Sequence, residues 1–522
     1  MVQNSAARIC PIDAFVRQIV AIVLLFFNAV VWLKLGMTSQ KQCVEIDAVQ
    51  EDHLEAQGSS MLKASSTKKK ESTPASTKPA TTPSQAGTYK DHFSTYASSL
   101  EYISQNNTVF LIFVDLAVRR TAINFHMTSL ERHGISNYLF VTSSNTLCVE
   151  FWGKSIPCYI YVEEKNSNKL SSYGSKDFIK KMNIRTYMIL ETLRSGYDIL
   201  HTDADMYYYG NPLPRVKQIC NKKCSLAALI DWKTLNAGFV YVRSTNESIK
   251  VYEIMKHIAD TTGKDDQVAL NTAVNQRSKS GLHYEKLPKS EFKCGKFFYE
   301  LERRNFGGEN PCKTCLVVHN NFIVGMAAKE YRAKEMFQWE FNEDKYFSVE
   351  GHKFLSYMNS ETDASWTSDK QRLRIAFAIG QVFNRTVILP KFHCPNNRPC
   401  SLLYHMSIMK LDQHFGTKYK VSTFLRNPLL VDAVKSMTSI EVSFVSNTTK
   451  TAPGKLEFNI GANGSPDSKT IFEWLGNRDE DILVFKDLKN GFSKFVDSAE
   501  NDSFNQKCKE GLVDSVYRQT RS

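Results

Sequence analysis

Cysteine is scarce in this chain, 12 of 522 residues, far below the density of a small scaffold held by disulfides. Nor is there a block of basic charge. The formal net charge of +12 divides into +2 over residues 1–88, +6 over 89–345 and +4 over 346–522, so no stretch offers the dense cationic face that a nucleic-acid backbone requires. No Gly-x-x-x-x-Gly-Lys-Ser/Thr occurs, which removes the phosphate loop of the common nucleotide hydrolases. What is there is ordinary in bulk. With 42% apolar and 23% charged residues the chain has globular proportions, neither disordered overall nor those of a polytopic membrane protein. Its length leaves room for two or three domains and at least one large core.

Near the N-terminus, Ile19–Leu33 holds a single polar residue, Asn28. As a helix, Phe15–Leu35 would reach about 30 Å, enough to cross a bilayer. A cleaved signal peptide is the competing reading, but the Lys-Leu-Gly-Met-Thr-Ser after Leu33 lacks an Ala-x-Ala pattern, which favours an uncleaved signal anchor. Arg8 and Arg17 before the run balance Lys34 and Lys41 after it, so the positive-inside rule does not orient it. From Ser59 to Thr88, 21 of 30 residues are Ser, Thr, Pro or Lys and none is aromatic, a composition that cannot bury enough surface to fold. The expected layout is a cytosolic tail (1–14), a transmembrane signal anchor (15–36), a low-complexity stem (37–90), a main domain (91–345) and a C-terminal accessory α/β domain (346–522). Asn-x-Ser/Thr sequons begin at Asn106, Asn246, Asn384, Asn447, Asn463 and Asn501. Together with the close cysteine pairs Cys220/Cys224, Cys312/Cys315 and Cys394/Cys400 they suit an oxidising lumen. Cys312-x-x-Cys315 is also half of a zinc site, but no second half completes it, and a disulfide is the better reading.

Beyond Thr108 strands and helices alternate. Strands are expected at Val109–Val114, Tyr138–Thr142, Ile156–Val162, Tyr197–Thr202, Ser225–Ile230, Gly238–Val242 and Leu316–His319. Amphipathic helices are expected over Thr121–His133 and Lys176–Ser195. This alternation predicts an α/β fold, a mostly parallel sheet with helices on both faces, and such sheets bind ligands at the carboxyl ends of their strands. Asp115 and Asp203 fall at such ends. Asp203-Ala204-Asp205 follows a buried strand, where a two-residue step can aim two carboxylates at one hard divalent cation. A cation there offsets charge on a departing diphosphate. Without one, two acids flanked by Ile199, Leu200 and Met206 would be costly.

The run His201-Thr-Asp-Ala-Asp-Met-Tyr-Tyr-Tyr-Gly-Asn-Pro-Leu-Pro214 resembles the metal motif of GT-A glycosyltransferases of the nucleotide-diphospho-sugar transferase type. Three further stretches, Thr234–Arg243, Asp265–Asn271 and Val318–Lys329, agree in order and spacing. Together they resemble glycosyltransferase family seventy-seven, the group of plant cell-wall xylosyl- and arabinosyltransferases with relatives in algae, protists and some animals. A weaker likeness to its arabinosyltransferase-like members extends over Leu373–Cys394. The resemblance implies a GT-A, Rossmann-like fold over about residues 105–345, with Asp203 and Asp205 holding Mn2+ or Mg2+ on a nucleotide-diphosphate sugar, expected to be a UDP-sugar, and His319 as the third metal ligand or a diphosphate contact. It implies that Asp115 meets the nucleoside, and that Gly325 and Lys329 lie on a loop approaching the diphosphate. Arg185 would touch donor phosphate or sugar, a solvated helix position being the alternative. Asn236, Ala237 and Gly238 would line the donor sugar, glycine allowing a close backbone approach. Asp266 or Gln267 would stand beside the reacting sugar or acceptor hydroxyl, or the pair of acids would simply cap a helix through Asp265.

The activity so implied is transfer of a pentose or hexose to a glycan or glycoprotein hydroxyl with retained anomeric configuration. Tail, anchor, stem and lumenal body are the layout of single-pass type II Golgi enzymes. The alternative is an inactive lumenal carbohydrate-binding or scaffold protein with a transferase fold. Past residue 345, Gln371–Phe383 reads as a helix and Thr386–Leu389, Ile440–Val445 and Asp481–Phe485 as strands, without a visible catalytic constellation.

Overall fold

The computed structural model describes residues 90–161, 176–221, 223–302, 312–394, 398–445, 454–460, 464–476 and 478–515. The expected tail, anchor and nearly all of the stem lie outside these residues, as do the sequons at Asn447 and Asn463. Among the described residues no helix is long and apolar enough to cross a membrane. The chain divides into two units, Met1–Ala80 and Thr81–Ser522, and the architecture below is that of the second.

Ten strands from the first part of this unit build two sheets: β1 (Thr108–Phe113), β2 (Tyr138–Thr142), β3 (Cys158–Ile160), β4 (Asp198–Thr202), β5 (Met206–Tyr208), β6 (Leu226–Ile230), β7 (Leu235–Val242), β8 (Tyr284–Lys286), β9 (Phe292–Lys293) and β10 (Val317–His319). Seven of them form one sheet in the order β3-β2-β1-β4-β7-β6-β8. Neighbours are parallel except at β7, which runs antiparallel to both β4 and β6. β1, β6 and β7 are buried along nearly their whole length, which is why they read as continuous apolar runs rather than as alternating ones. β5, β10 and β9 form a small separate sheet. The α/β, mostly parallel architecture expected from the sequence is thus what the chain has.

The helices that matter for the site are α1 (Lys176–Arg194), α2 (Asn246–Thr262), α3 (Asp266–Ser278) and α4 (Met326–Glu335), with α5 (Trp366–Val382) in the later region. The single helix expected over Thr121–His133 is instead a 3₁₀ turn at Leu116–Val118, an α-helix over Arg119–Phe125 and a π-helical stretch over His126–Glu131. In the widened part the Thr128 hydroxyl donates to the Asn124 carbonyl, a side-chain bond that competes with the regular helical ladder. α5 begins five residues before the expected Gln371, because Ser365 caps it by accepting from the Ser368 N–H.

The later region has its own sheet. β11 (Phe354–Tyr357), β12 (Thr386–Ile388), β13 (Phe392–Cys394), β14 (Arg398–Cys400), β15 (Tyr419–Lys420), β16 (Ser439–Val445), β17 (Lys455–Asn459) and β18 (Ile482–Phe485) follow in sequence. Six of them are ordered β15-β12-β11-β18-β16-β17, all pairs parallel. The boundary expected at 345/346 separates two sheets within one packed unit: a single buried core contains residues of both, and the Thr423 hydroxyl donates to the Glu335 carbonyl across the join. Disulfides close Cys220–Cys224, Cys312–Cys315 and Cys394–Cys400, so Cys312 and Cys315 are not half of a zinc site, and a fourth, Cys148–Cys158, was not anticipated.

Candidate active site

Asp203-Ala204-Asp205 is the link by which the chain leaves β4 in the large sheet and enters β5 in the small one. Both sides of the link are tied down. The Asp203 N–H donates to the Gly238 carbonyl at 2.7 Å, and the Asp205 carbonyl accepts from the Asn320 N–H at 2.9 Å. β10 pairs with β5 so that its last residue, His319, lies opposite Met206. The two carboxylates and the imidazole therefore converge, with one donor atom of each within 4.8 Å of the others. His319 Nε2 is 3.3 Å from Asp205 Oδ1 and 3.6 Å from Asp203 Oδ2.

Two cations neutralise these acids. Arg185 on α1 donates from Nη1 to Asp203 Oδ1 at 2.9 Å and from Nε to Asp266. It is buried, not a solvated helix position. Lys329 Nζ donates to Asp205 Oδ2 at 2.7 Å. Burial alone would raise the Asp205 carboxyl, but Lys329 and His319 hold it far below its ordinary range. For Asp266, burial outweighs Arg185 and pushes the carboxyl up. Burial lowers His319, yet the carboxylates of Asp205 and Asp203 more than reverse this and raise it. His201 goes the other way: burial, then the Arg185 charge, lower it to about 4, so it is neutral near pH 7. Its Nδ1 is 3.1 Å from the Leu111 carbonyl, which can only accept, so the ring proton is there. Nε2 carries no proton, lies 3.7 Å from Asp203 Oδ1 and has no hydrogen-bond partner among the described residues.

This donor set fits a divalent cation. It offers hard carboxylate oxygens and one imidazole nitrogen on a common centre, and the site already carries counter-charges that a bound cation would share. Gly238 on β7 makes the arrangement possible. A Cβ there would overlap the Asp203 carboxylate and come within 3.0 Å of His319 Cε1. The space that glycine was expected to leave for a donor sugar is thus occupied by the Asp203 side chain.

Asp231, immediately after β6, organises a second cluster that the sequence reading did not single out. Its Oδ1 accepts from Asn321 Nδ2 at 2.8 Å, and its Oδ2 accepts from Asn236 Nδ2 at 2.8 Å and Gln267 Nε2 at 3.3 Å. Asn236 Oδ1 in turn accepts from the Gly238 N–H at 2.9 Å. Asn236, Gly238 and Gln267 are therefore brought together. The adjacent acids divide their roles: Asp265 caps α3 by accepting from the Val268 N–H, whereas Asp266 pairs with Arg185. A signal for Asp231 was present, since it closes a buried strand just as Asp203 does.

Asp115 stands apart from these contacts. Lys181, one helical turn before Arg185 on the same face of α1, reaches Asp115 Oδ2 at 2.9 Å, and Oδ1 is buried without a partner among the described residues. Gly325 caps α4 at φ +94°, a conformation other residues rarely adopt, and Lys329 follows one turn into that helix. The loop between His319 and Gly325 exposes Phe322 and Val324.

Residues 133–333 match the family model described as nucleotide-diphospho-sugar transferase. Over 192 residues the chain is 26% identical to beta-arabinofuranosyltransferase RAY1 of Arabidopsis thaliana, covering 33% of this chain and 36% of that one. It is 26% identical over 204 residues to the UDP-galactose:fucoside alpha-3-galactosyltransferase of Dictyostelium discoideum, 34% of this chain and 31% of the other. It is 22% identical over 465 residues to arabinosyltransferase XEG113 of Arabidopsis thaliana, 74% of this chain and 70% of the other. The chain spans about a third of the length of the first two of these relatives. Every residue of the two clusters lies inside residues 133–333, the segment that matches the nucleotide-diphospho-sugar transferase model.

Proposed function

We propose that this chain is a metal-dependent, retaining glycosyltransferase that moves a pentose or hexose from a UDP-sugar to a hydroxyl of a glycan or glycoprotein. The observation that carries the reading is the convergence of Asp203, Asp205 and His319 at the carboxyl end of β4. Two carboxylates with one imidazole favour Mn2+ over Mg2+. The cation, when bound, offsets charge developing on the departing diphosphate. Arg185 and Asp266 fix the Asp203 carboxylate, and Lys329 brings a further positive charge to the same side through Asp205. Asp231 holds the amides of Asn236 and Gln267 in one orientation, in which they can meet sugar hydroxyls. No carboxylate is assigned as a covalent nucleophile. The acceptor oxygen attacks C1 on the face the diphosphate leaves, the C1–O bond to phosphate breaks as the glycosidic bond forms, and the leaving phosphate oxygen takes the acceptor's proton. Positioning and preorganised charge then supply most of the acceleration. Relatives whose names specify arabinosyl transfer and a UDP-galactose donor support the sugar classes.

The same reading makes the chain a single-pass type II protein of the Golgi membrane with its catalytic unit in the lumen. Four disulfides and exposed sequon asparagines at 106, 246 and 384 support an oxidising, glycosylating compartment. The test is a thermal-shift and donor-hydrolysis panel of UDP- and GDP-sugars on the full chain, with and without Mn2+. A UDP-sugar should raise the melting temperature and be hydrolysed in Mn2+ alone. Asp203→Ala and Asp205→Ala should each lose at least about 100-fold of that activity. Near wild-type turnover by either variant, or with a chelator present, would sink the mechanism. If no nucleotide sugar shifts the protein, the carbohydrate-binding scaffold is the better reading.

A further inference from the structure

The second sheet has a reversal of winding of its own. From β11 the chain winds through β12 to β15 on one side, then crosses to β16, β17 and β18 on the other, so β11 and β18 are the pair at which the winding reverses. In open parallel sheets ligands bind just outside the carboxyl ends of the strands at such a point. Here that position is lined by buried polar side chains the donor site does not use. Asp369 and Arg372 on α5 and Tyr357 at the end of β11 are 0%, 2% and 4% exposed.

Their hydrogen bonding is incomplete. Arg372 Nε donates to Asp487 Oδ1, just after β18, at 2.9 Å, but Nη1 stands 3.9 Å from Asp369 Oδ1 and has no hydrogen-bond partner among the described residues. The Tyr357 hydroxyl and Asn359 Oδ1 are likewise buried without partners among the described residues. Buried polar groups are rarely left unpaired; Tyr357 feels the charges of Arg372 and Asp369, and Asn359 follows it two residues on in the same loop, the pattern of a site that a ligand completes. The partners of Arg372 reach solvent, Asp487 and Asp363 being 42% and 36% exposed.

The chemistry selects the ligand. One orphaned donor (Arg372 Nη1), one orphaned acceptor (Asn359 Oδ1) and one group that does both (Tyr357) match hydroxyls, each of which donates and accepts. A phosphate would meet three carboxylates, Asp363, Asp369 and Asp487, against two cations, Arg372 and the Lys489 that lies 3.5 Å from Asp363, so the carboxylates still outnumber the cations. The loop after β11, residues 358–365, also contains no glycine to bring backbone N–H groups onto a phosphate. We propose that the position just outside the carboxyl ends of β11 and β18 binds a neutral, hydroxyl-rich sugar unit of the acceptor glycan. The word acceptor rests on the transferase reading above; the binding of sugar does not.

The test is ligand-observed NMR on the full chain with D-galactose, L-arabinose, D-xylose, L-fucose and D-glucose, followed by proton saturation transfer, and with UDP and inorganic phosphate followed by phosphorus relaxation. At least one sugar should bind, in the presence of excess UDP and Mn2+ and equally in Asp203→Asn, so failure of the donor site and failure of this second site are separable. Tyr357→Phe removes one oxygen and keeps the ring; Asp487→Asn changes a half-exposed group, so at least one of the two should keep the wild-type melting curve. Each folded variant should bind that sugar at least about tenfold more weakly. The proposal is overturned if none of the sugars binds, if the folded variants bind as well as wild type, if Asp203→Asn abolishes binding, or if phosphate rather than sugar depends on Tyr357.

Discussion

At Gly238 one absent methyl group decides where the Asp203 carboxylate can lie. Alanine would put a Cβ into that carboxylate and against His319, so the acid must swing away from the common centre. Gly238→Ala should therefore weaken the Mn2+-dependent thermal shift given by UDP about tenfold or more, at a stability cost of only about 1–3 kcal/mol. An unchanged Mn2+ titration would show that Asp203 has room to spare. The Arg185 guanidinium makes a different kind of claim, because it neutralises Asp266, whose side chain is only 7% exposed. Arg185→Met strands that buried charge and should cost about 3–5 kcal/mol in urea denaturation. Adding Asp266→Asn, which removes the charge, should recover part of the loss; a double variant as unstable as the single one would refute the ion-pair account.

Elements were more legible in the sequence than the contacts between them. Strands buried on both faces announce themselves as apolar runs, and β2 was located to the residue at Tyr138–Thr142. α1 was expected over Lys176–Ser195 and spans Lys176–Arg194, because its 3- and 4-residue spacing reflects one buried stripe. The acids at strand ends were legible for the same reason, and the rule that marked Asp203 would also have marked Asp231. What could not be read is what depends on two distant elements meeting: Arg185 lying between Asp203 and Asp266, Lys329 turning to Asp205, and the carboxylate that fills the space over Gly238. Cys148–Cys158 belongs with these. It fastens the helix Asn145–Gly153 to β3 at the edge of the large sheet, where each strand has only one neighbour to hold it. Closing a loop of this length is worth about 2–3 kcal/mol by restricting the unfolded chain. Replacing both cysteines by serine should lower the urea midpoint accordingly and leave the donor-induced shift in place; no change in midpoint would mean the bond is stabilised elsewhere or not formed.

The two sheets of the unit Thr81–Ser522 share one core, and the join between them holds a buried lysine. Lys420 on β15 donates from Nζ to the Tyr346 carbonyl at 2.6 Å and lies 4.1 Å and 5.0 Å from the ring centres of Tyr346 and Phe424. Burial first, then the charge of Lys334, lower its pKa from 10.5 to about 8, Asp344 opposing. Between those two values the unfolded chain binds a proton that the folded one does not, so stability rises with pH across that window. Below about pH 8 both states carry the proton and the cost of the buried charge is present in full, at most about 3 kcal/mol. Lys420→Met keeps the apolar stem and removes the titrating group. Its stability relative to wild type should be highest at pH 7 and fall steadily from pH 8 to 10.5, whatever constant offset the lost hydrogen bond to Tyr346 adds. Urea denaturation of both proteins at pH 7, 8, 9 and 10 reads this difference directly, and a difference that stays flat would place Lys420 in water rather than at a closed join. Because the join is common to both sheets, the two should unfold in one transition at every pH, with tryptophan fluorescence and far-ultraviolet dichroism coinciding; a first transition that leaves the donor-binding sheet intact would separate them.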